Sequence, residues 1–199
     1  MLLLSPRPFD QIGSGPIDLT PDSASSVNLL KVLLAEYLAA DPAICRPAQR
    51  PVEEIVASGG SVLVIGDRAL RAVRNLPPGC RSYDLGELWW RFTQLPFVFA
   101  LWIVRQEVAA AERAELRQFM GQLDTSRARA FADLSSVAGA TAERAWMGEA
   151  RLIEYWRCMD YALEERHLCG LRHFYALCCR HGLLPDEPEL HFVLSGAAR

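Results

Sequence analysis

The sequence predicts an α/β fold with mostly parallel strands, followed by a helical C-terminal portion. Predicted strands and helices alternate through the first half of the chain, which is typical of parallel α/β units. Two segments, 62–65 and 95–104, are apolar without interruption, as expected of strands buried on both faces of a sheet. The chain from Glu107 to about His181 is rich in helix-forming residues, which predicts three or more helices there.

The first predicted strands are short and lie close to the amino end. Residues 2–4 form one, which Pro6 and Pro8 end, and "IDL" at 17–19 forms another. Apolar residues at helical spacing then predict an amphipathic helix within 20–38, and its serine-rich start is typical of a helix N-terminus.

The next segments continue the alternation. The proline-rich stretch "DPAICRPAQRP" at 41–51 is predicted to be a loop, and residues 51–58 a short helix. "SVLVIGD" at 61–67 is predicted to be a buried strand, with helical "RALRAV" after it. The apolar run 95–104 is predicted to be a central strand of the sheet.

Composition excludes several classes of protein. The chain has 199 residues and a net charge of -3, so nothing in its electrostatics favours nucleic acid. Its longest apolar run, 95–104, has ten residues, whereas a membrane-spanning helix needs roughly 20, so no membrane association is expected. The start "MLLLSPRPFD" lacks the features of a signal peptide, and we expect a cytoplasmic protein. Its oligomeric state cannot be predicted.

Six cysteines and four histidines raise the question of a metal site. Cys169 and His173 stand one helical turn apart, but no CxxC or HxxxH pair is present. Free, packed thiols and solvated histidines are therefore the favoured interpretation, and neither a metal nor a cofactor is expected.

Two places could bind a ligand, because ligands of α/β proteins lie beyond the carboxyl ends of strands and at helix N-termini. The first holds the hydroxyls of Thr20, Ser23, Ser25 and Ser26, for which helix capping is the favoured alternative on the residues alone. The second is the pair Gly66 and Asp67. Asp67 could contact a ligand or cap the following helix, and capping is the more common role.

Evidence for a catalytic apparatus is weak. The motifs GxSxG, HExxH, GxGxxG and the P-loop are all absent from the sequence. Asp84 and Glu87 could act as an acid–base pair, but two carboxylates at this spacing before an aromatic helix more often form its N-terminal turn.

Five segments together resemble one family. They are "MLLLS", "IDLTPDSASSVNLLKVLL", "VLVIGDRAL", "YDLGELWWRFTQLPFVFALWIVR" and "YALEERHLCGLRHFYALC". In this order and spacing they resemble the chorismate dehydratases of the futalosine route to menaquinone. The segments span nearly the whole chain, and the pairing of the third with the fourth is the most specific feature.

The resemblance implies a two-lobed fold of the type II periplasmic-binding-protein kind. Residues 1–84 would form one α/β lobe, and 85–199 would supply a crossover strand and the helical remainder of the other. Members of the family carry roughly eighty residues, about half a domain, before the segment matching "MLLLS". The resemblance therefore implies a chain truncated at its amino end.

The resemblance also implies an activity, the elimination of water from chorismate to give 3-[(1-carboxyvinyl)oxy]benzoate, without a cofactor. Under it, substrate contact becomes the favoured role of Thr20, Ser23, Ser25, Ser26, Gly66 and Asp67, because a hydroxyl-rich helix N-terminus suits a carboxylate. No catalytic residue is implied. The alternative is a non-catalytic module that binds a small carboxylate, or a truncated remnant of the family.

Overall fold

The structure, a computed structural model, describes residues 1–193. The chain divides into two compact units. The first comprises Met1–Phe99 and Glu165–Pro188, and the second comprises Ala100–Glu164 together with the described residues 189–193.

The first unit is built on a five-stranded sheet in the order β3-β2-β4-β1-β5. Its strands are β1 (Leu2–Ser5), β2 (Ile17–Leu19), β3 (Cys45–Pro47), β4 (Ser61–Val64) and β5 (Arg81–Asp84). β2 is parallel to both β3 and β4, whereas β1 is antiparallel to both β4 and β5. The sheet is therefore mixed, and the expectation of mostly parallel strands is wrong for β1. The predicted strands at 2–4 and 17–19 are confirmed in place. The strand predicted at 61–67 is confirmed over Ser61–Val64 only, because Gly66 and Asp67 already belong to a helix.

Ten α-helices lie in the described part of the chain. They are α1 (Ala24–Tyr37), α2 (Val52–Ala57), α3 (Gly66–Arg74), α4 (Leu85–Thr93), α5 (Gln106–Ala111), α6 (Arg113–Ala132), α7 (Leu134–Ala140), α8 (Arg144–Met147), α9 (Glu149–Arg157) and α10 (Glu165–Arg180). Short 3-10 helices span Phe9–Ser14 and Pro42–Ile44. The α/β order of the first half and the helical C-terminal portion are both confirmed.

Helices cover both faces of the sheet. On one face, Leu3 and Leu63 pack in a cluster with residues of α1, α4 and α10. On the other face, Leu4 and Val62 pack with residues of α2 and α3. Successive strand residues point to opposite faces, so a strand covered on both sides has to be apolar throughout. This explains the uninterrupted apolar run of β4.

The apolar run 95–104 is not a strand, and that expectation is wrong. The segment contains neither helix nor strand and forms no ladder with any strand of the described chain. Phe97 is buried against the sheet unit, whereas Trp102 is 81% exposed and Ile103 is 90% exposed. A strand needs a neighbour to accept and donate its backbone hydrogen bonds, and apolar composition alone does not supply one.

Candidate anion-binding site

Three helices begin at one edge of the sheet. β2, β4 and β5 run in the same direction, and each is followed within a few residues by α1, α3 and α4 respectively. The antiparallel β1 starts at this same edge, where the backbone N–H of Leu85 donates to the carbonyl of Met1 at 3.0 Å. Helix N-termini carry partial positive charge and unpaired N–H groups, so this edge is suited to anions.

The start of α1 is closed by its own serines. The side-chain oxygen of Ser23 accepts the backbone N–H of Ser26 at 3.1 Å, which makes Ser23 the N-cap. The Ser26 hydroxyl is buried, lies 2.9 Å from the Ser23 hydroxyl and donates to the sulfur of Met1. Ser25 is exposed and makes no side-chain hydrogen bond to the described residues. The capping role is thus observed for Ser23, and Ser25 is the serine left open to a ligand.

Thr20 lies directly beyond β2 and is buried, with 6% of its surface exposed. Its backbone N–H donates to the carbonyl of Leu63, and its hydroxyl donates to the carboxylate of Asp22 at 2.8 Å. The same carboxylate oxygen of Asp22 lies 3.7 Å from the guanidinium of Arg68, on the first turn of α3. This ion pair therefore links the predicted ligand-binding segment 20–26 with the residue that follows the predicted pair Gly66 and Asp67.

The start of α3 has no side-chain cap. Its N-cap position is Ile65, which carries no hydrogen-bonding side chain, and Gly66 has a positive φ of 59° that only glycine adopts readily. Asp67 lies inside the first turn and is exposed, so the structure does not show the capping role that was the alternative to ligand contact. Because no side chain caps α3, its first-turn N–H groups remain available to an external anion.

The start of α4 is occupied by a carboxylate of the chain itself. Asp84 Oδ1 accepts the backbone N–H groups of Gly86 at 2.7 Å and Glu87 at 3.2 Å. The prediction that Asp84 and Glu87 form a helical N-terminal turn is confirmed. Of the three helix N-termini at this edge, α3 is the one without such a partner.

Neither a metal-ligand cluster nor a membrane-spanning helix occurs in the described residues. Across residues 1–193, no three His, Cys, Asp or Glu side chains are grouped as a metal ion would require. Within the same range, no helix combines the length and the apolar character needed to cross a membrane.

The family follows from comparison with known proteins. A family model described as menaquinone biosynthesis matches residues 1–180. The chain belongs to the menaquinone biosynthesis family. A relative from Thermus thermophilus, named chorismate dehydratase, is 33% identical over 172 residues. That match covers 79% of this chain and 60% of the relative, so the chain spans less than two thirds of the relative's length.

For this member of the menaquinone biosynthesis family, the sequence did not predict that Asp22 and Arg68 form an ion pair. Both lie within two residues of a predicted site residue, Asp22 after Thr20 and Arg68 after Gly66 and Asp67. The available signal was their position: a charged side chain just beyond a predicted strand lies at the carboxyl edge of the sheet. The two charges come together because β2 and β4 are neighbours in the sheet. Predicting this contact would have required knowledge of the strand order.

Proposed function

We propose that this member of the menaquinone biosynthesis family dehydrates chorismate to 3-[(1-carboxyvinyl)oxy]benzoate, as a step of the futalosine route. The observation that carries the proposal is the 33% identity to a protein named chorismate dehydratase, together with a family match over residues 1–180. The reaction removes the ring hydroxyl and a neighbouring ring proton as water, and the ring becomes aromatic.

The geometry of the sheet edge supports this reaction class. Chorismate carries two carboxylates, and aromatisation supplies much of the driving force, so the protein has mainly to bind, orient and exclude water. We propose that one carboxylate of the substrate binds at the uncapped N-terminus of α3, at the backbone of Gly66 and Asp67. We propose that the Ser25 hydroxyl contacts the same substrate. Thr20, Ser23 and Ser26 would lie next to the bound substrate or hold the residues that contact it.

The proposed function also implies a fold for the whole protein around this site. We infer a two-lobed fold of the periplasmic-binding-protein kind, in which the carboxyl edge of this sheet faces the ligand. Such folds hold small ligands beyond the carboxyl ends of their strands. We further propose a cytoplasmic location and a small-molecule substrate.

The proposal is tested by incubating the purified chain with chorismate and following the loss of the diene absorbance. We expect steady loss that scales with protein concentration. If chorismate raises the melting temperature but the absorbance does not change, the chain is a carboxylate-binding module and the dehydratase proposal is wrong. A matched control is Arg74→Ala, which removes a positive charge from the far end of α3 and should leave the rate unchanged.

A further inference from the structure

Asp22 and its two partners, Thr20 and Arg68, form a small network beside the start of α3. The buried hydroxyl of Thr20 donates to Asp22 Oδ2 at 2.8 Å, and the guanidinium of Arg68 lies 3.7 Å from the same oxygen. Both donors are of the kind that would hold a ligand carboxylate. A carboxylate of the chain already occupies the position between them.

The network can open without a change in the backbone. The Asp22 and Arg68 side chains are 51% and 59% exposed, so either can turn into solvent. Thr20 would keep its position, because its hydroxyl oxygen also accepts the backbone N–H of Asp22 at 3.3 Å. An exposed ion pair of this kind contributes little to stability, so an incoming carboxylate could displace it.

The charges around the network give Arg68 a particular role. The segments that begin α1, α3 and α4 carry the carboxylates of Asp22, Asp67, Asp84 and Glu87, and Arg68 is the basic side chain among residues 20–26, 65–68 and 84–87. The Asp84 carboxylate is held by the first turn of α4. Asp22 is the one that neutralises Arg68, the group best placed to attract an anion to α3.

We propose that Asp22 is a built-in competitor for the ligand carboxylate, and that a dicarboxylate binds by displacing it from Thr20 and Arg68. The identity of the ligand rests on the proposed function. Arg68 and Asp22 are then specificity-determining residues with opposite effects on the affinity for the ligand. Arg68 attracts the anion and raises the affinity, whereas Asp22 competes with the anion and lowers it.

The test is a calorimetric titration with 3-[(1-carboxyvinyl)oxy]benzoate, the stable dicarboxylate product. For Asp22→Ala we expect the Kd to fall about two- to fivefold, because an exposed charge pair no longer competes. For Arg68→Ala we expect the Kd to rise by a similar factor. Asp22→Asn keeps the acceptor for Thr20 and removes the charge, so it should also tighten binding.

Matched controls use charges away from the edge. Arg74→Ala removes a positive charge about 9 Å further along α3, and Glu53→Ala removes an exposed carboxylate from α2. Neither should change the Kd. Circular dichroism of every variant shows whether it folds, and the isosteric Asp22→Asn decides the case if Asp22→Ala does not.

Three outcomes overturn the proposal: weaker or equal binding by both Asp22 variants, an unchanged Kd for Arg68→Ala, or no binding at millimolar ligand by the wild type and the Asp22 variants alike. Failure of the proposed function looks different. If the wild type binds the product but does not convert chorismate, the dehydratase assignment is wrong, and the ratio of Kd values still decides whether Asp22 competes.

Discussion

Ser23 caps helix α1 by accepting the backbone N–H of Ser26 at 3.1 Å, and the two serine hydroxyls lie 2.9 Å apart. The hydroxyls of Ser23 and Ser26 are thus used within the helix start, while Ser25 between them is exposed. One cluster of serines therefore divides into a structural pair and a residue available to a ligand. The two roles can be separated by mutation.

Ser23→Ala should lower the stability of the fold. It removes the acceptor for a first-turn N–H of a 14-residue helix, and the loss of such a cap typically costs about 1 kcal/mol. Urea denaturation should show a lower midpoint with an unchanged slope. An unchanged midpoint would mean that the cap contributes nothing.

Ser25→Ala should act on binding instead. Because the Ser25 side chain makes no hydrogen bond within the described chain, the free energy of unfolding should stay within about 0.5 kcal/mol of the wild type. The KM for chorismate should rise. Ser58→Ala is the control, since it removes a hydroxyl near the opposite end of β4. Equal KM values for Ser25→Ala and the wild type would remove Ser25 from the site.

Gly170 permits a close approach between α10 and the segment after α4. A Cβ at this position would collide with the backbone carbonyl oxygen of Pro96. Gly170→Ala should therefore destabilise the first unit by about 1–3 kcal/mol, the usual cost of overpacking. A thermal melt would show the loss, and an unchanged melting temperature would contradict this packing.

Gly121→Ala is the matched comparison for Gly170→Ala. Gly121 lies in the interior of α6, and a Cβ there would meet no atom within 4 Å. Alanine costs less conformational entropy than glycine in a helix, so this variant should gain about 0.4–1 kcal/mol. The two substitutions are chemically identical, so opposite signs would follow from their surroundings alone.

The α/β class and most element positions were predictable because they depend on local patterns. The apolar run of β4 and the helical spacing before Tyr37 were sufficient for the strand and for α1. The antiparallel direction of β1 was not predictable, because direction is set by which neighbours a strand joins. β3 was missed as well, since Cys45–Pro47 is proline-rich and half exposed, at the edge of the sheet.

The candidate site was predictable only in part. The serines and the Gly66–Asp67 pair lie just beyond strands, which is a local signal. The network of Thr20, Asp22 and Arg68 depends on β2 and β4 being neighbours, and the sequence does not specify that. For the run 95–104 the sequence predicted too much, namely a strand that the structure does not contain. An apolar pattern indicates burial but does not identify a hydrogen-bonding partner.

Acidification should weaken the contact between α1 and the end of α10. A hydrogen bond from His181 at 2.7 Å, with Arg180 nearby, lowers the pKa of Glu36 below its usual value of 4.5. A lowered carboxyl pKa stabilises the fold above pH 4.5 and loses that contribution as the pH falls through the lowered value. The free energy of unfolding should therefore decline below about pH 4.5, and Glu36→Gln should reduce that decline. Identical pH profiles for the two proteins would contradict this role of Glu36.

The most direct test of the central claim is mass spectrometry of chorismate incubated with a stoichiometric amount of the purified chain, so that even slow turnover is seen. The proposed function predicts a product lighter than chorismate by one water, with the mass of 3-[(1-carboxyvinyl)oxy]benzoate and absent from a heat-inactivated control. Absence of this product after prolonged incubation with folded protein would contradict the dehydratase assignment.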